Sequence, residues 1–123
     1  MKFVQVFENK KEYLDLLLLG DEQESMVDKY LEQGDMFVCL DPDPMGECVV
    51  LDLGDGVFEI KNIATDPTVH GKGFGRALIE FVIDHYKGKC KKLLVGTGDS
   101  PLTVPFYQKC GFQIRTINMD AKV

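Results

Sequence analysis

Hydrophobic and polar residues recur along the chain at two spacings that predict its secondary structure. Alternating or β-branched apolar runs are typical of strands, and they occur at 2–7, 35–40, 47–53, 57–65, 92–96 and 112–119. Apolar residues spaced by three and four are typical of helices, and they predict helices over 9–20, 21–34, 74–88 and within 102–110. The predicted order is therefore β-α-α-β-β-β-α-β-α-β.

Short polar signals predict where some of these elements begin and turn. Asn9 precedes Glu12 by three residues, which is the spacing of a capping box, and Asp21 precedes Glu24 in the same way. The turn 54–56, Gly-Asp-Gly, predicts a hairpin. Hairpin-linked strands followed by β-α-β predict one α/β (α+β) domain over residues 1–123, in which an antiparallel meander passes into a parallel unit. A ligand is expected in the crevice where the sheet changes direction.

The composition narrows the range of partners. The chain has 20 acidic and 14 basic residues, a net charge of -6, which argues against a nucleic-acid partner because such a partner needs a basic face. The same charge suits an amine substrate, although it also serves solubility. No apolar run approaches the length of a membrane span and no signal-peptide pattern opens the chain, so a cytoplasmic location is expected. The four cysteines lack a C-x-x-C pair, which predicts buried thiols and no metal site.

The seven residues 70–76, His-Gly-Lys-Gly-Phe-Gly-Arg, carry the strongest chemical signal. Their alternating glycines let backbone N–H groups converge without obstruction by Cβ atoms. The following helix adds the partial positive charge of its N-terminus, and Lys72 and Arg76 add full charges. Together these features suit a diphosphate.

Other interpretations of this loop fit less well. The G-x-x-x-x-G-K-[ST] pattern of a Walker A loop is absent, and Arg76 stands where a dinucleotide fingerprint counted from Gly71 needs its third glycine. A nucleotide-phosphate site unrelated to coenzyme A, or a plain glycine turn before a helix, stays open as an alternative.

Three segments together resemble the GNAT acetyltransferase superfamily: the strand 59–67, the loop 70–76, and 105–112, which reads Pro-Phe-Tyr-Gln-Lys-Cys-Gly-Phe. The family pattern is [QR]-x-x-G-x-[GA] at a strand–helix junction, followed later by F-Y-x-x-x-G-F. The resemblance covers about residues 47–114, whereas the N-terminal helices match only in number and order. His70 stands where the family usually has Gln or Arg, and this loss of fixed charge bears on the affinity for the cofactor.

The resemblance implies an N-acetyltransferase that passes an acetyl group from acetyl-CoA to a primary amine of a small molecule or protein, by direct attack in a ternary complex. It implies that Glu59 is the general base and that Tyr107 donates a proton to the departing thiolate. It also implies ten residues that bind the cofactor: Ile63, Ala64 and Thr65 along the pantetheine arm, and His70, Gly71, Lys72, Gly73, Phe74, Gly75 and Arg76 around the diphosphate.

Structural alternatives accompany each of these roles. Glu59 can instead be a strand charge paired with Lys61, with Glu47 and Asp52 as weaker candidate bases. Tyr107 can be a packed aromatic residue, and the protein can be a non-catalytic acyl-CoA-binding module. A covalent route through Cys110 is disfavoured because the dipole at a helix C-terminus opposes a thiolate.

Two further expectations concern the ends of the fold. Family members usually finish with two strands after the last helix, and this sequence has room for one, so either a C-terminal strand is missing or a sheet edge is open. A second copy of the chain can cover such an edge, which makes a homodimer compatible with the sequence. The acetyl acceptor is not identified by these patterns.

Overall fold

A computed structural model describes residues 1–95 of the chain. The predicted helix within 102–110, the predicted strand at 112–119, and Tyr107 and Cys110 lie outside the described residues. The described strands are β1 (Lys2–Val6), β2 (Asp35–Leu40), β3 (Pro44–Gly54), β4 (Val57–Thr65) and β5 (Lys92–Val95). The helices are α1 (Leu14–Gly20), α2 (Glu24–Val27) and α3 (Phe74–Tyr86), with 3₁₀ turns at Lys10–Tyr13 and Pro67–Val69.

The five strands form one mixed sheet in the order β1-β2-β3-β4-β5. The pairs β1–β2, β2–β3 and β3–β4 are antiparallel, whereas β4 and β5 are parallel. The predicted meander and its passage into a parallel pair are therefore confirmed. The change of direction from which a ligand crevice is predicted lies at β4, which pairs with an antiparallel strand on one side and a parallel strand on the other.

Alternation along the strands places one apolar cluster on each face of the sheet. One cluster joins the sheet to α3, and its buried members include Phe37, Cys39, Cys48, Phe58, Ile60, Leu78 and Val82. The other joins the sheet to α1, α2 and the turns that follow, and includes Leu17, Val27, Leu31, Met36, Val38 and Val49. Burial raises the pKa of the Cys39 and Cys48 thiols, as the prediction of apolar cysteines requires.

The hairpin between β3 and β4 forms where the sequence predicts it. Gly54, Asp55 and Gly56 all have positive φ angles, of 92°, 57° and 79°. Glycine and aspartate tolerate this left-handed region better than most residues, so the Gly-Asp-Gly sequence fits the turn. The hairpin fixes how β3 and β4 align, and β4 leads directly to the glycine loop.

The predicted capping box at Asn9 is wrong. Asn9 has φ 56° and its side chain caps no helix, and the chain forms the 3₁₀ turn before α1 begins at Leu14. The reason lies in the next residue: the Lys10 side chain is buried, and its Nζ donates to the carbonyl oxygens of Leu31 at 2.9 Å and Gly34 at 2.7 Å. A tertiary contact of this strength overrides a local capping preference.

The predicted helix over 21–34 is also much shorter in the structure. Only Glu24–Val27 is α-helical, and turns continue to Gly34. Asp21, predicted to begin this helix, instead accepts a hydrogen bond from the Tyr30 hydroxyl at 3.1 Å. No helix within residues 1–95 combines the length and the apolar character that a membrane crossing needs.

Candidate active site

The loop after β4 is held in place by short local hydrogen bonds. The Asp66 carboxylate accepts from the Thr68 backbone N–H at 2.9 Å and from its hydroxyl, which forms the 3₁₀ turn Pro67–Val69. These bonds to Thr68 lower the pKa of Asp66. The Nε2 atom of His70 lies 3.2 Å from the carbonyl oxygen of Thr65. The end of β4 and the start of the glycine loop are thereby fixed relative to each other.

The glycine loop leaves backbone donors open at the start of α3. Gly73 is the N-cap residue with φ 86°, and the first intrahelical bond runs from the Ala77 N–H to the Gly73 carbonyl at 3.0 Å. The N–H groups of Phe74 and Gly75 precede this bond and therefore have no acceptor inside the helix. Gly71 also has a positive φ, of 81°, and a Cβ atom at Gly71 or Gly73 would meet nothing within 4 Å. The loop thus presents these two N–H groups beside open space.

The two cations of the loop differ in their surroundings. Lys72 is exposed. Arg76 is also exposed, and its Nε lies 3.3 Å from a carboxylate oxygen of Glu80 one turn further along α3. An exposed pair of this kind contributes at most about 1 kcal/mol.

A bulge in β4 decides which side chains share the α1 face of the sheet. Val50 pairs with Ile60 and Val49 pairs with Asn62, which leaves Lys61 as an extra residue in β4. Residues three apart in a regular strand point to opposite faces. Because of the bulge, Glu59 and Asn62 both lie on the face covered by α1, while Ile60 packs in the α3 cluster.

Glu59, Lys61 and Tyr30 lie together on this face. The Glu59 side chain is only 12% exposed, and its Oε1 lies 3.6 Å from the Lys61 ammonium, whose side chain is 33% exposed. The same ammonium lies 5.9 Å from the centre of the Tyr30 ring, within the range of a cation–π contact. The ion pair that the structural interpretation of Glu59 predicted is therefore present.

Asn62 connects β4 to α1 and to the turn that carries Tyr30. Its Nδ2 donates to the Leu17 carbonyl and to the Tyr30 hydroxyl, both at 3.0 Å, and Tyr30 in turn donates to Asp21. Burial raises the pKa of the Tyr30 hydroxyl, so it stays protonated as a donor. A Cβ at Gly20 would lie 2.1 Å from Asn62 Oδ1, so α1 approaches β4 this closely only because residue 20 is glycine.

The sequence of this chain is similar to those of known acetyltransferases. The sequence model of the acetyltransferase (GNAT) domain matches residues 32–114. The uncharacterized N-acetyltransferase YvbK of Bacillus subtilis is 38% identical over 120 residues, which cover 92% of this chain and 75% of that protein. The chain belongs to the GNAT acetyltransferase family.

Two solved structures extend the likeness to the fold. A GNAT family acetyltransferase from Elizabethkingia anophelis, solved with acetyl-CoA bound, is 32% identical with a TM-score of 0.83, over 91% of this chain and 75% of that one. An IAA acetyltransferase from Bacillus cereus is 34% identical with a TM-score of 0.84, over 98% and 83%. The predicted family, fold and enzyme class are confirmed, and acetyl-CoA is the cosubstrate of this GNAT acetyltransferase.

The acetyltransferase brings most of its predicted site residues onto one continuous segment. Ile63, Ala64 and Thr65 occupy β4 between the bulge and the glycine loop, and the loop residues follow directly. At about 3.3 Å per residue, Glu59 lies roughly 20 Å along the strand from Thr65. Asp52 pairs with Phe58, next to Glu59, but it is exposed and its carboxylate accepts from the Gly54 N–H at 2.8 Å within the hairpin.

Sequence reasoning missed the polar network of Tyr30, Asn62 and Asp21. Two features of the sequence could have predicted this network. Asparagine is depleted in strands, so an Asn in the middle of β4 calls for a specific partner. A buried tyrosine hydroxyl also needs a partner, and Tyr30 falls among the apolar positions of the predicted helix 21–34. His85 of α3 is half-buried, with its ring centre 4.9 Å from that of Phe37.

Glu47 is fully buried on the α1 face of this GNAT acetyltransferase. It pairs across the sheet with Val38 and Ala64, and neither carboxyl oxygen has a hydrogen-bond partner among the described residues. Burial therefore raises the pKa of Glu47 well above its usual value of 4.5. The neutral carboxylic acid is the form that this surrounding favours.

Replacing Glu47 by glutamine is expected to stabilise the protein near neutral pH. As the pH rises through 4.5, the unfolded chain releases the Glu47 proton while the folded chain retains it, so wild-type stability falls until the raised folded pKa is passed. Glutamine has no proton to release. The stability gain should be small near about pH 4 and grow toward about pH 7 in urea denaturation. Exposed Glu12→Gln serves as the control, and a loss of stability independent of pH in Glu47→Gln would contradict the prediction.

Proposed function

We propose that the protein transfers the acetyl group of acetyl-CoA directly to a primary amine of a small molecule or peptide, with the diphosphate bound by residues 70–76. The observation that carries the binding half of this proposal is the pair of N–H groups of Phe74 and Gly75 at the start of α3, which have no acceptor inside the helix. Gly71 and Gly73 leave room for phosphate oxygens to approach these donors, and Lys72 adds charge.

The pantetheine arm is proposed to lie along residues 63–65 of β4. An extended arm with two amide groups can hydrogen-bond to a strand backbone as an added peptide does. With the diphosphate at the glycine loop and the arm along these residues, the thioester end of the arm would lie toward the bulge. The reacting carbon would then lie near Lys61, beside the one buried carboxylate of β4, Glu59.

Glu59 is proposed to accept the proton of the attacking amine. An amine is protonated at neutral pH and must lose a proton before it attacks a thioester. The low exposure of Glu59 keeps competing water away from its carboxylate, and the bulge aims it to the same face as Tyr30 and Asn62. Tyr107 is proposed to protonate the departing coenzyme A thiolate, as the family resemblance implies.

The acceptor is proposed to enter on the α1 face of the sheet. Two carboxylates meet the Tyr30–Lys61 contact on this face, that of Asp21 at the Tyr30 hydroxyl and that of Glu59 at the Lys61 ammonium. The surplus of acidic groups favours a cationic amine over an anionic acceptor.

Replacing Gly73 by alanine is expected to weaken acetyl-CoA binding by roughly tenfold, or about 1.4 kcal/mol. The new Cβ would stand in the open space above the loop, where the diphosphate is proposed to lie. Isothermal titration with acetyl-CoA measures the effect.

Gly88→Ala is a matched control for this experiment. Gly88 has φ 90°, and a Cβ there also meets nothing within 4 Å, but it lies at the opposite end of α3. Both variants carry the same backbone strain, so only Gly73→Ala should lose affinity. Equal affinity in the two variants would show that the diphosphate does not lie against this loop.

A further inference from the structure

The Lys61 ammonium occupies a cation site built by other residues of the α1 face. Glu59 supplies a carboxylate oxygen 3.6 Å away, and Tyr30 supplies an aromatic face 5.9 Å away. Tyr30 itself is buried and is held through its hydroxyl by Asn62 and Asp21. A carboxylate beside a fixed aromatic ring is a favourable environment for any primary ammonium group.

Lys61 also has an unusual position in the backbone of β4. It is the extra residue of the β4 bulge, and bulges commonly re-aim a side chain next to an active site. Without the insertion, Asn62 would face α3 and Tyr30 would lose its anchor. The chain therefore places one of its own amines against the carboxylate proposed as general base, at the part of β4 proposed to face the thioester.

We propose that Lys61 stands in the place of the acceptor amine and is acetylated there by the protein itself when no external amine is present. This inference rests on the proposed function of Glu59. The carboxylate takes a proton from the Lys61 ammonium, and the freed Nζ attacks the acetyl carbonyl carbon. The C–N bond forms as the C–S bond breaks, and coenzyme A leaves as a thiolate that takes up a proton.

Acetylation changes the charge of the site. The product amide on Lys61 is neutral, so it no longer pairs with Glu59 or binds the Tyr30 ring as a cation. The Glu59 carboxylate then has no counter-ion on β4. An external ammonium group can occupy the space between Glu59 and Tyr30 only when Lys61 has left it, so the lysine and the acceptor compete for one site.

Lys11 provides a matched internal comparison. It is also a lysine in contact with carboxylates, with its Nζ 2.7 Å from Glu24, and its side chain is more exposed than that of Lys61, at 44% against 33%. Chemical acetylation by free acetyl-CoA would modify the two lysines at comparable rates, because the greater exposure of Lys11 is offset by the Asp28 and Glu24 carboxylates, which raise its pKa. Acetylation by the active site would favour Lys61.

The test is mass spectrometry of the purified protein after incubation with acetyl-CoA in the absence of amine. Lys61 is expected to gain an acetyl group about 10²-fold faster than Lys11, because it is held next to the base. Glu59→Gln should slow the modification of Lys61 by about 10²-fold or more and leave Lys11 unchanged. An amine that is turned over should protect Lys61 in proportion to its occupancy of the site.

Three results would overturn the inference: an unmodified Lys61, equal rates at Lys61 and Lys11, or a Lys61 rate unaffected by Glu59→Gln. Turnover of an external amine is measured in parallel samples of the same preparation. Turnover with an unmodified Lys61 overturns this inference alone and leaves the proposed function standing. Loss of external turnover in Glu59→Gln, with Lys61 still modified at the wild-type rate, places the lysine outside the active site.

Discussion

Replacing Glu59 by glutamine is expected to lower kcat for amine acetylation by about 10²–10⁴-fold, the usual contribution of a general base. Glutamine has nearly the same shape but accepts no proton at neutral pH. Binding of acetyl-CoA should stay close to that of the wild type, because the glycine loop lies roughly 20 Å along β4 from this residue. Initial rates of thiol release with an amine panel, together with titration of acetyl-CoA, separate the two effects.

Asp52→Asn is the control for this experiment. Asp52 is another acidic residue near this end of the β3–β4 pair, but it is exposed and bonded to its own hairpin, so its loss should leave turnover unchanged. Wild-type turnover in Glu59→Gln would leave Glu59 with only its ion pair to Lys61.

Tyr107→Phe in the same assay should lower turnover and preserve acetyl-CoA binding, and full turnover in that variant would remove Tyr107 from the mechanism.

The strands and the glycine loop could be predicted because their signals are local. The strands 35–40 and 57–65 have the predicted bounds, since each is flanked by turn residues and has a buried run of β-branched or aromatic side chains. The loop 70–76 leads into α3, and Gly73 is its N-cap residue. Positions with a positive φ angle favour glycine, so such turns can be recognised from the glycines in the sequence.

The two N-terminal helices were predicted less well because tertiary contacts decide their form. The capping signal at Asn9 is weaker than the bonds that bury Lys10 against the turn ending at Gly34. Met26 and Tyr30 are four residues apart, the spacing of one apolar helix face, but Met26 is 40% exposed. Tyr30 is directed by Asn62 from a strand 32 residues away, a pairing that no local pattern reveals.

The candidate site shows the same division between local and long-range information. Glu59 and the glycine loop follow from a sequence motif, whereas the bulge at Lys61 depends on how β3 and β4 align. That alignment places Glu59, Lys61 and Asn62 on one face, and it cannot be read from β4 alone. The residues that shape the acceptor side are therefore the ones the sequence describes least.

Replacing Lys10 by methionine is expected to lower the free energy of unfolding by about 3 kcal/mol. The Lys10 side chain is buried, and its ammonium donates to the carbonyl oxygens of Leu31, Glu32 and Gly34 at 2.9, 3.4 and 2.7 Å. Methionine fills a similar volume but donates nothing, so these carbonyl groups lose their partner in a partly buried position. Urea denaturation with an unchanged m-value measures the loss.

Lys11→Met separates this effect from the loss of any lysine in the same turn. Lys11 is exposed and pairs with Glu24, and an exposed ion pair contributes at most about 1 kcal/mol. Equal destabilisation of the two variants would contradict the role of Lys10.

Because the carbonyl groups bound by Lys10 belong to the turn directly after Tyr30, Lys10→Met should also raise KM for the amine more than KM for acetyl-CoA. An equal rise in both would mean that this turn does not shape the acceptor side.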